Sequence, residues 1–99
     1  MSDVLVAPGI LRGRITPPPS KSDAHRALIC AALAGKPDVV RGIDPPLSED
    51  LLATKSCLAA LSRPGEILDC GESGTTLRLV LPLAAAMGRP SRFVGHGRL

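Results

Sequence analysis

Apolar and polar positions alternate in short stretches at the start of this chain and gather into longer runs further on. Residues 4–7 and 10–16 flank a Pro8-Gly9 turn, and Leu11, Gly13 and Ile15 alternate with Arg12, Arg14 and Thr16. A period of two belongs to a half-exposed strand, so the pattern predicts two strands joined as a hairpin. Residues 24–34 are an almost unbroken helix-forming run stopped by Gly35 and Pro37, which predicts a helix over 22–34. Beyond its polar first turn that helix is apolar nearly all round, and its burial between other elements is expected.

Residues 39–43 read as a third strand closed by Asp44-Pro45-Pro46. Ser48 is placed to cap a second helix reaching about Ser62, with Glu49 and Asp50 in the first turn where the helix dipole favours acids. Leu51, Thr54, Leu58 and Leu61 form its apolar face. Residues 66–70 read as a strand, and residues 77–87 as a third helix that Thr75 and Thr76 can cap and Pro82 bends. Residues 92–95 give a last strand. Strands alternating with helices indicate an α/β fold. The chain stops at Leu99 directly after a strand and without a stop signal, which reads as truncation.

Composition narrows the partners. The 99 residues are 44% hydrophobic yet hold a single aromatic side chain, Phe93, so stacking on nucleic-acid bases is not expected. The net charge of +3 comes from scattered arginines and lysines with no continuous basic run, a pattern for a small acidic ligand rather than for nucleic acid. Cys30, Cys57 and Cys70 cannot all pair and have no metal-ligand spacing. Cys30 and Cys57 lie in apolar helical stretches and read as buried small residues in a reducing compartment. No signal peptide and no run of membrane-spanning length are visible, so a cytoplasmic protein without membrane contact is expected.

The most informative stretch is Pro17-Pro18-Pro19-Ser20-Lys21-Ser22-Asp23-Ala24-His25-Arg26. The prolines enforce an extended entry, so the first helix cannot begin before Pro19, and Ser20 or Ser22 can cap it. Ser22 and Arg26 stand four residues apart on one helix face, with Lys21 at the mouth of the turn. A hydroxyl, a guanidinium and an ammonium at a helix N-terminus suit a phosphate-sized anion. The same ten residues also fit an ordinary capped surface helix. Gly71-Glu72-Ser73-Gly74-Thr75-Thr76 is a second loop of interest, with Arg78 one turn beyond Gly74. Taken alone it is a glycine-rich turn with a structural job, and it matches neither the Walker nor the dinucleotide loop. Taken together, two helix starts, each with a hydroxyl and an arginine, can converge on an anionic substrate. Proton-transfer chemistry is not evident. His25 lies about 100° round the helix from Arg26 and reads as a surface residue, while Asp23, Glu49, Asp50 and Glu72 read as acids of helix starts.

Residues 18–28, Ser48-Glu49-Asp50 and Cys70-Gly71-Glu72-Ser73-Gly74-Thr75-Thr76-Leu77-Arg78 together resemble the N-terminal part of the 5-enolpyruvylshikimate-3-phosphate synthase family. Residues 93–99 resemble the strand leading into that family's next motif. The resemblance implies an enzyme that moves the carboxyvinyl group of phosphoenolpyruvate to the 5-hydroxyl of shikimate 3-phosphate in aromatic amino-acid biosynthesis, without a cofactor or metal. It implies that Lys21 contacts phosphoenolpyruvate beside the shikimate phosphate, that Ser22 and Arg26 bind shikimate 3-phosphate, and that Gly74 approaches phosphoenolpyruvate, with Thr75 and Arg78 in support.

The implied fold is a two-domain, inside-out α/β barrel of βαβαββ units, closing on substrate as a monomer. Residues 1–16 would belong with the other domain, and residues 17–99 would be the first unit of its partner. Catalytic acid–base residues would lie beyond Leu99, so the 99-residue chain alone is expected to be inactive. Three departures stand out: Glu72 replaces a frequent Asn, the segment between Leu61 and Cys70 is short, and the chain ends before the next Arg-Pro motif. The related UDP-N-acetylglucosamine enolpyruvyl transferases carry Asn after the motif lysine and lack a match to Arg26, so Lys21-Ser22 with Arg26 favours the shikimate enzymes. A small phosphate-binding module and a non-functional gene fragment are the alternatives.

Overall fold

A computed structural model of the chain describes residues 2–43 and 45–99. Its elements are α1 (Lys21–Leu33), α2 (Glu49–Leu61), β1 (Ile67–Asp69), α3 (Gly74–Ala86) and β2 (Arg92–Val94). The two strands pair in parallel, Ile67 opposite Arg92 and Asp69 opposite Val94, with α3 as the crossover between them. Pairing continues past the strands, where the Cys70 amide donates to the Val94 carbonyl at 2.8 Å and the His96 amide to the Gly71 carbonyl at 3.0 Å. The architecture is thus a small α/β fold of three helices and two parallel strands.

Each helix starts on a serine whose hydroxyl accepts from an amide three residues on: Ser20 from Asp23, Ser48 from Leu51 and Ser73 from Thr76. This resolves the choice between Ser20 and Ser22 in favour of Ser20. It also corrects the third helix, which begins at Gly74 under a Ser73 cap and not at Leu77 under Thr75 or Thr76. The reason lies in the turn before it. Gly71 has φ of +56°, a conformation glycine takes without strain, and its amide donates to the Asp69 carboxylate at 2.9 Å. That turn delivers Ser73 to the cap position, and the helix then runs on through Pro82.

The core has two parts. Cys57, Ala60, Leu61, Leu68, Cys70, Val80 and Ala84 are buried between α2, α3 and the strands, flanked by Leu77, Leu83 and Phe93. Ala24, Leu28 and Leu51 join α1 to α2, covered by Val40, Ile43, Leu47 and Leu58. No helix among the described residues is long and apolar enough to cross a membrane.

Several expectations are corrected. Residues 4–7 and 10–16 form no strands: Val4, Leu5, Val6, Ile10, Leu11 and Ile15 are all exposed, Leu5 by 96%. Their alternation marks a face to be buried, but nothing described here covers it or pairs its backbone, and a lone extended segment does not form a sheet. Residues 39–43 form no strand either. The Val39 amide turns back onto the Lys36 carbonyl, Gly42 takes φ of +80°, and Val40 and Ile43 pack on the helices instead of entering a ladder. The predicted closure at Asp44, like Met1, lies outside the described residues. Helix α1 is buried on one side only, through Ala24, His25, Leu28 and Ala31, because α2 is its main packing partner. Cys30 consequently faces outward, contrary to its expected burial, while Cys57 and Cys70 are enclosed.

These placements have measurable consequences. Leu68, 2% exposed, should cost about 2–5 kcal/mol when changed to alanine, whereas Leu5→Ala should change stability by less than about 0.5 kcal/mol; urea unfolding of both variants checks the contrast. Burial, reinforced by the neighbouring Cys70, pushes the Cys57 thiol up to about 12, and burial also raises Cys70. Thiolates are the reactive form, so a thiol reagent should label Cys30 quickly in the native chain and reach the other two only after denaturant is added. Rapid native labelling of all three would contradict the packing.

Candidate functional site

The three helices lie side by side with their N-termini at one end. Between α1 and α2 two contacts advance in step: Lys21 Nζ to Asp50 Oδ2 at 3.2 Å, then His25 Nδ1 to Thr54 Oγ1 at 2.7 Å. Between α2 and α3, the Thr76 hydroxyl donates to the Asp50 carbonyl at 3.3 Å near the start, and the Arg89 guanidinium donates to the Leu61 carbonyl at 3.1 Å near the end. Both pairs are therefore parallel. Each N-terminus carries roughly half a positive charge in its free amides, so three such ends gathered together concentrate positive amide charge on one face, against which Asp23, Glu49 and Asp50 stand in the first turns.

Most of the residues nominated from the sequence lie in the first turns at this end. Lys21, Ser22 and Arg26 are exposed at the start of α1. Lys21 pairs with Asp50, the two side chains being 57% and 40% exposed, and Arg26 pairs with Asp23 at an even more open position. Ion pairs this exposed contribute about 0–1 kcal/mol, so an anionic ligand can take over either cation at little cost. Gly74 is the first residue of α3 and Thr75 the second, both half-buried. Arg78 folds back over them: a methyl group at Gly74 would stand 3.0 Å from its Nη1. The space kept open by Gly74 is therefore filled by a flexible guanidinium, which puts a cation at the second helix start as well. Glu72 lies with its carboxyl against Gly97 in the turn after β2.

Asp50 joins the two halves, its carboxylate holding Lys21 of α1 and its carbonyl holding Thr76 of α3. Among the described residues no side-chain hydrogen bond links Ser22 or Arg26 directly to Gly74, Thr75 or Arg78. The face is open, and two hollows of about 520 and 490 Å³ lie elsewhere, towards the C-terminal ends of the helices.

Beneath the face runs a buried chain of hydroxyls. From His25 Nδ1 it passes to Thr54 Oγ1, then over 2.8 Å to Thr76 Oγ1, which lies 2.7 Å from Ser73 Oγ. His25 is 2% exposed and Thr54 is fully enclosed, so the expectation that His25 sits on the surface is wrong. Its side chain points along the α1–α2 seam, where Thr54 supplies the partner a buried imidazole needs. Sequence reasoning missed this chain. The available signal was Thr54 itself, a polar residue on an otherwise apolar helix face.

Burial lowers the His25 pKa below its ordinary value; the Asp50 carboxylate opposes that shift and Lys21 adds to it. The unfolded imidazole, near pH 6.5, then takes up a proton before the folded one does. The stability His25 contributes is complete above that pH and is lost as the pH falls through the unfolded and then the folded value. The urea midpoint should accordingly drop between about pH 7.5 and about pH 5.5, and His25→Gln should flatten that drop. A midpoint independent of pH over this range would contradict the burial of a neutral imidazole.

The family model for EPSP synthase (3-phosphoshikimate 1-carboxyvinyltransferase) matches residues 6–66, more than half of the chain. A 3-phosphoshikimate 1-carboxyvinyltransferase of Clostridium perfringens strain SM101 is 36% identical over 119 aligned positions covering all of this chain. The corresponding proteins of Clostridium beijerinckii and Clostridioides difficile strain 630 are 37% and 30% identical, again across the whole chain. The chain spans about 28% of the length of the curated relatives it matches. An alignment of 119 positions against 99 residues crosses gaps in this chain, so it is shorter than the matching part of its relative. No solved structure matches it. On the strength of the family match and the identity across the whole chain, the chain belongs to the EPSP synthase family.

Proposed function

We propose that this chain is the N-terminal, anion-binding part of a 3-phosphoshikimate 1-carboxyvinyltransferase. In that enzyme the 5-hydroxyl oxygen of shikimate 3-phosphate bonds to C2 of phosphoenolpyruvate, and inorganic phosphate leaves. Both substrates are anions, and holding them together is an electrostatic problem before it is a chemical one. The observation that carries the reading is the convergence of the α1 and α3 starts through Asp50, which sets Lys21 and the Gly74 turn at the same end of the helices.

In this reading Ser22 and Arg26 hold the phosphate of shikimate 3-phosphate, and Lys21 sits between that ester and phosphoenolpyruvate, offsetting the charge that two anions bring together. Gly74 offers amides to phosphoenolpyruvate once Arg78 swings aside or joins in binding it, with Thr75 beside it. Asp23 and Asp50 are the resting partners that the substrates replace. No residue of this chain is assigned proton transfer. Residues 17–99 are the first unit of an inside-out α/β barrel domain, and residues 1–16 belong with the opposite domain, which accounts for their exposed apolar alternation. The complete enzyme is read as a cytoplasmic monomer with no cofactor.

Because a cleft between two domains positions the reactants, the 99-residue chain alone should show no turnover. It should still bind shikimate 3-phosphate. Loss of one charged hydrogen-bonding partner is worth about 1.5–3 kcal/mol, so Arg26→Ala should weaken binding at least about tenfold in calorimetry. Unchanged binding in Arg26→Ala would defeat the assignment of this helix start, and measurable turnover by the isolated chain would defeat its role as one half of a cleft.

A further inference from the structure

The chain of buried hydroxyls does more than satisfy polar atoms. Helices α1 and α3 pack chiefly on α2, so the relative placement of their first turns is transmitted mainly through α2. We propose that His25, Thr54 and Thr76 form a positioning relay that sets the α3 start, with Gly74, against the α1 start, with Lys21, Ser22 and Arg26. The proposal rests on the anion-site reading above, and none of the three residues is assigned contact with substrate.

The donors can be assigned from the bonds themselves. The Thr76 hydroxyl donates to the Asp50 carbonyl, so its oxygen must accept from Thr54 and from Ser73. With its own proton committed to Thr76, Thr54 must accept from His25, which fixes a proton on Nδ1. Ser73, while donating to Thr76 Oγ1, accepts from the Thr76 amide at 3.1 Å and so caps α3. Every hydroxyl proton is used, those of Thr54 and Ser73 converging on Thr76 and that of Thr76 going to the Asp50 carbonyl, and no buried side-chain nitrogen or oxygen among the described residues lacks a partner.

A purely structural purpose does not require this arrangement. Replacing both partners of a buried hydrogen bond by apolar groups of the same shape can be close to neutral for stability. What apolar contacts do not supply is direction: hydrogen bonds fix distance and angle, whereas a methyl seam allows helices to slide and rotate. The relay ends at both binding elements. Its histidine is one turn beyond Lys21 and adjacent to Arg26, and its serine is the residue before Gly74. Asp50 ties it to the surface, giving its carbonyl to Thr76 and its carboxylate to Lys21.

The test is titration of the 99-residue chain with shikimate 3-phosphate, by calorimetry and by nitrogen NMR of the His25 ring. Thr54→Val, which keeps shape and removes the hydroxyl, should weaken binding about tenfold at a temperature where circular dichroism shows it folded, since small misplacements of binding groups are costly. Thr54→Ser restores the hydroxyl and should bind within about twofold of the native chain. The native His25 should show its proton on Nδ1, and its ring signals should move as ligand is added although it does not touch the ligand. Equal binding by Thr54→Val, failure of Thr54→Ser to rescue, or an unmoved His25 signal overturns the relay. If Thr54→Val does not fold, the His25 signal decides alone. Absence of binding by the native chain would overturn the site reading and the relay together, whereas native binding with an indifferent Thr54→Val removes the relay only.

Discussion

Three parallel helices with their N-termini at one end bring like partial charges together, an arrangement that α-helix dipoles resist. The bond chain from His25 through Thr54 and Thr76 to Ser73 and the Asp50 carbonyl holds that arrangement in place. It lies at the polar end of seams that are otherwise apolar, between the Leu28–Leu51 contacts on one side and the Cys57–Val80 core on the other. The acids of the first turns, Asp23, Glu49 and Asp50, offset the accumulated positive potential when no ligand is present. On the proposed reading, a bound anion relieves that tension.

That tension explains why the cations of the site are weakly held. Lys21 and Arg26 each have a carboxylate partner, and each pair is open to solvent. In the proposed anion site, strong buried pairs would compete with the ligand. Weak exposed ones leave both side chains within reach of a ligand. Gly74 follows the same logic at the second helix start, where the absence of a side chain leaves room that Arg78 occupies.

The helices were legible because local rules govern them. Serine caps, acids in a first turn and glycine or proline stops are short-range features, and α2 and β2 came out within a residue or so of their expected bounds. The strands failed where the decisive partner is distant: alternation at 10–16 describes a face to be covered, and nothing described in this chain covers it. Ser73 is not the cap that the sequence suggests, which is Thr75 or Thr76 before a helix from Leu77; the Gly71 turn brings Ser73 to the cap position. Within the site, Lys21, Ser22, Arg26 and Gly74 could be nominated from helix-start chemistry and motif resemblance. His25 could not, since burial of an imidazole depends on Thr54, 29 positions away in sequence.

The central claim is that the starts of α1 and α3 act as one anion site. Amide chemical shifts of the isotope-labelled chain, followed during addition of shikimate 3-phosphate, test it most directly. The account predicts that the amides of Ser22 and its neighbours in α1 and those of Gly74 and Thr75 in α3 shift together along one saturation curve, while the C-terminal ends of the helices stay unmoved. Shifts confined to one helix start, two separate saturation curves, or changes centred on the C-terminal ends would contradict it.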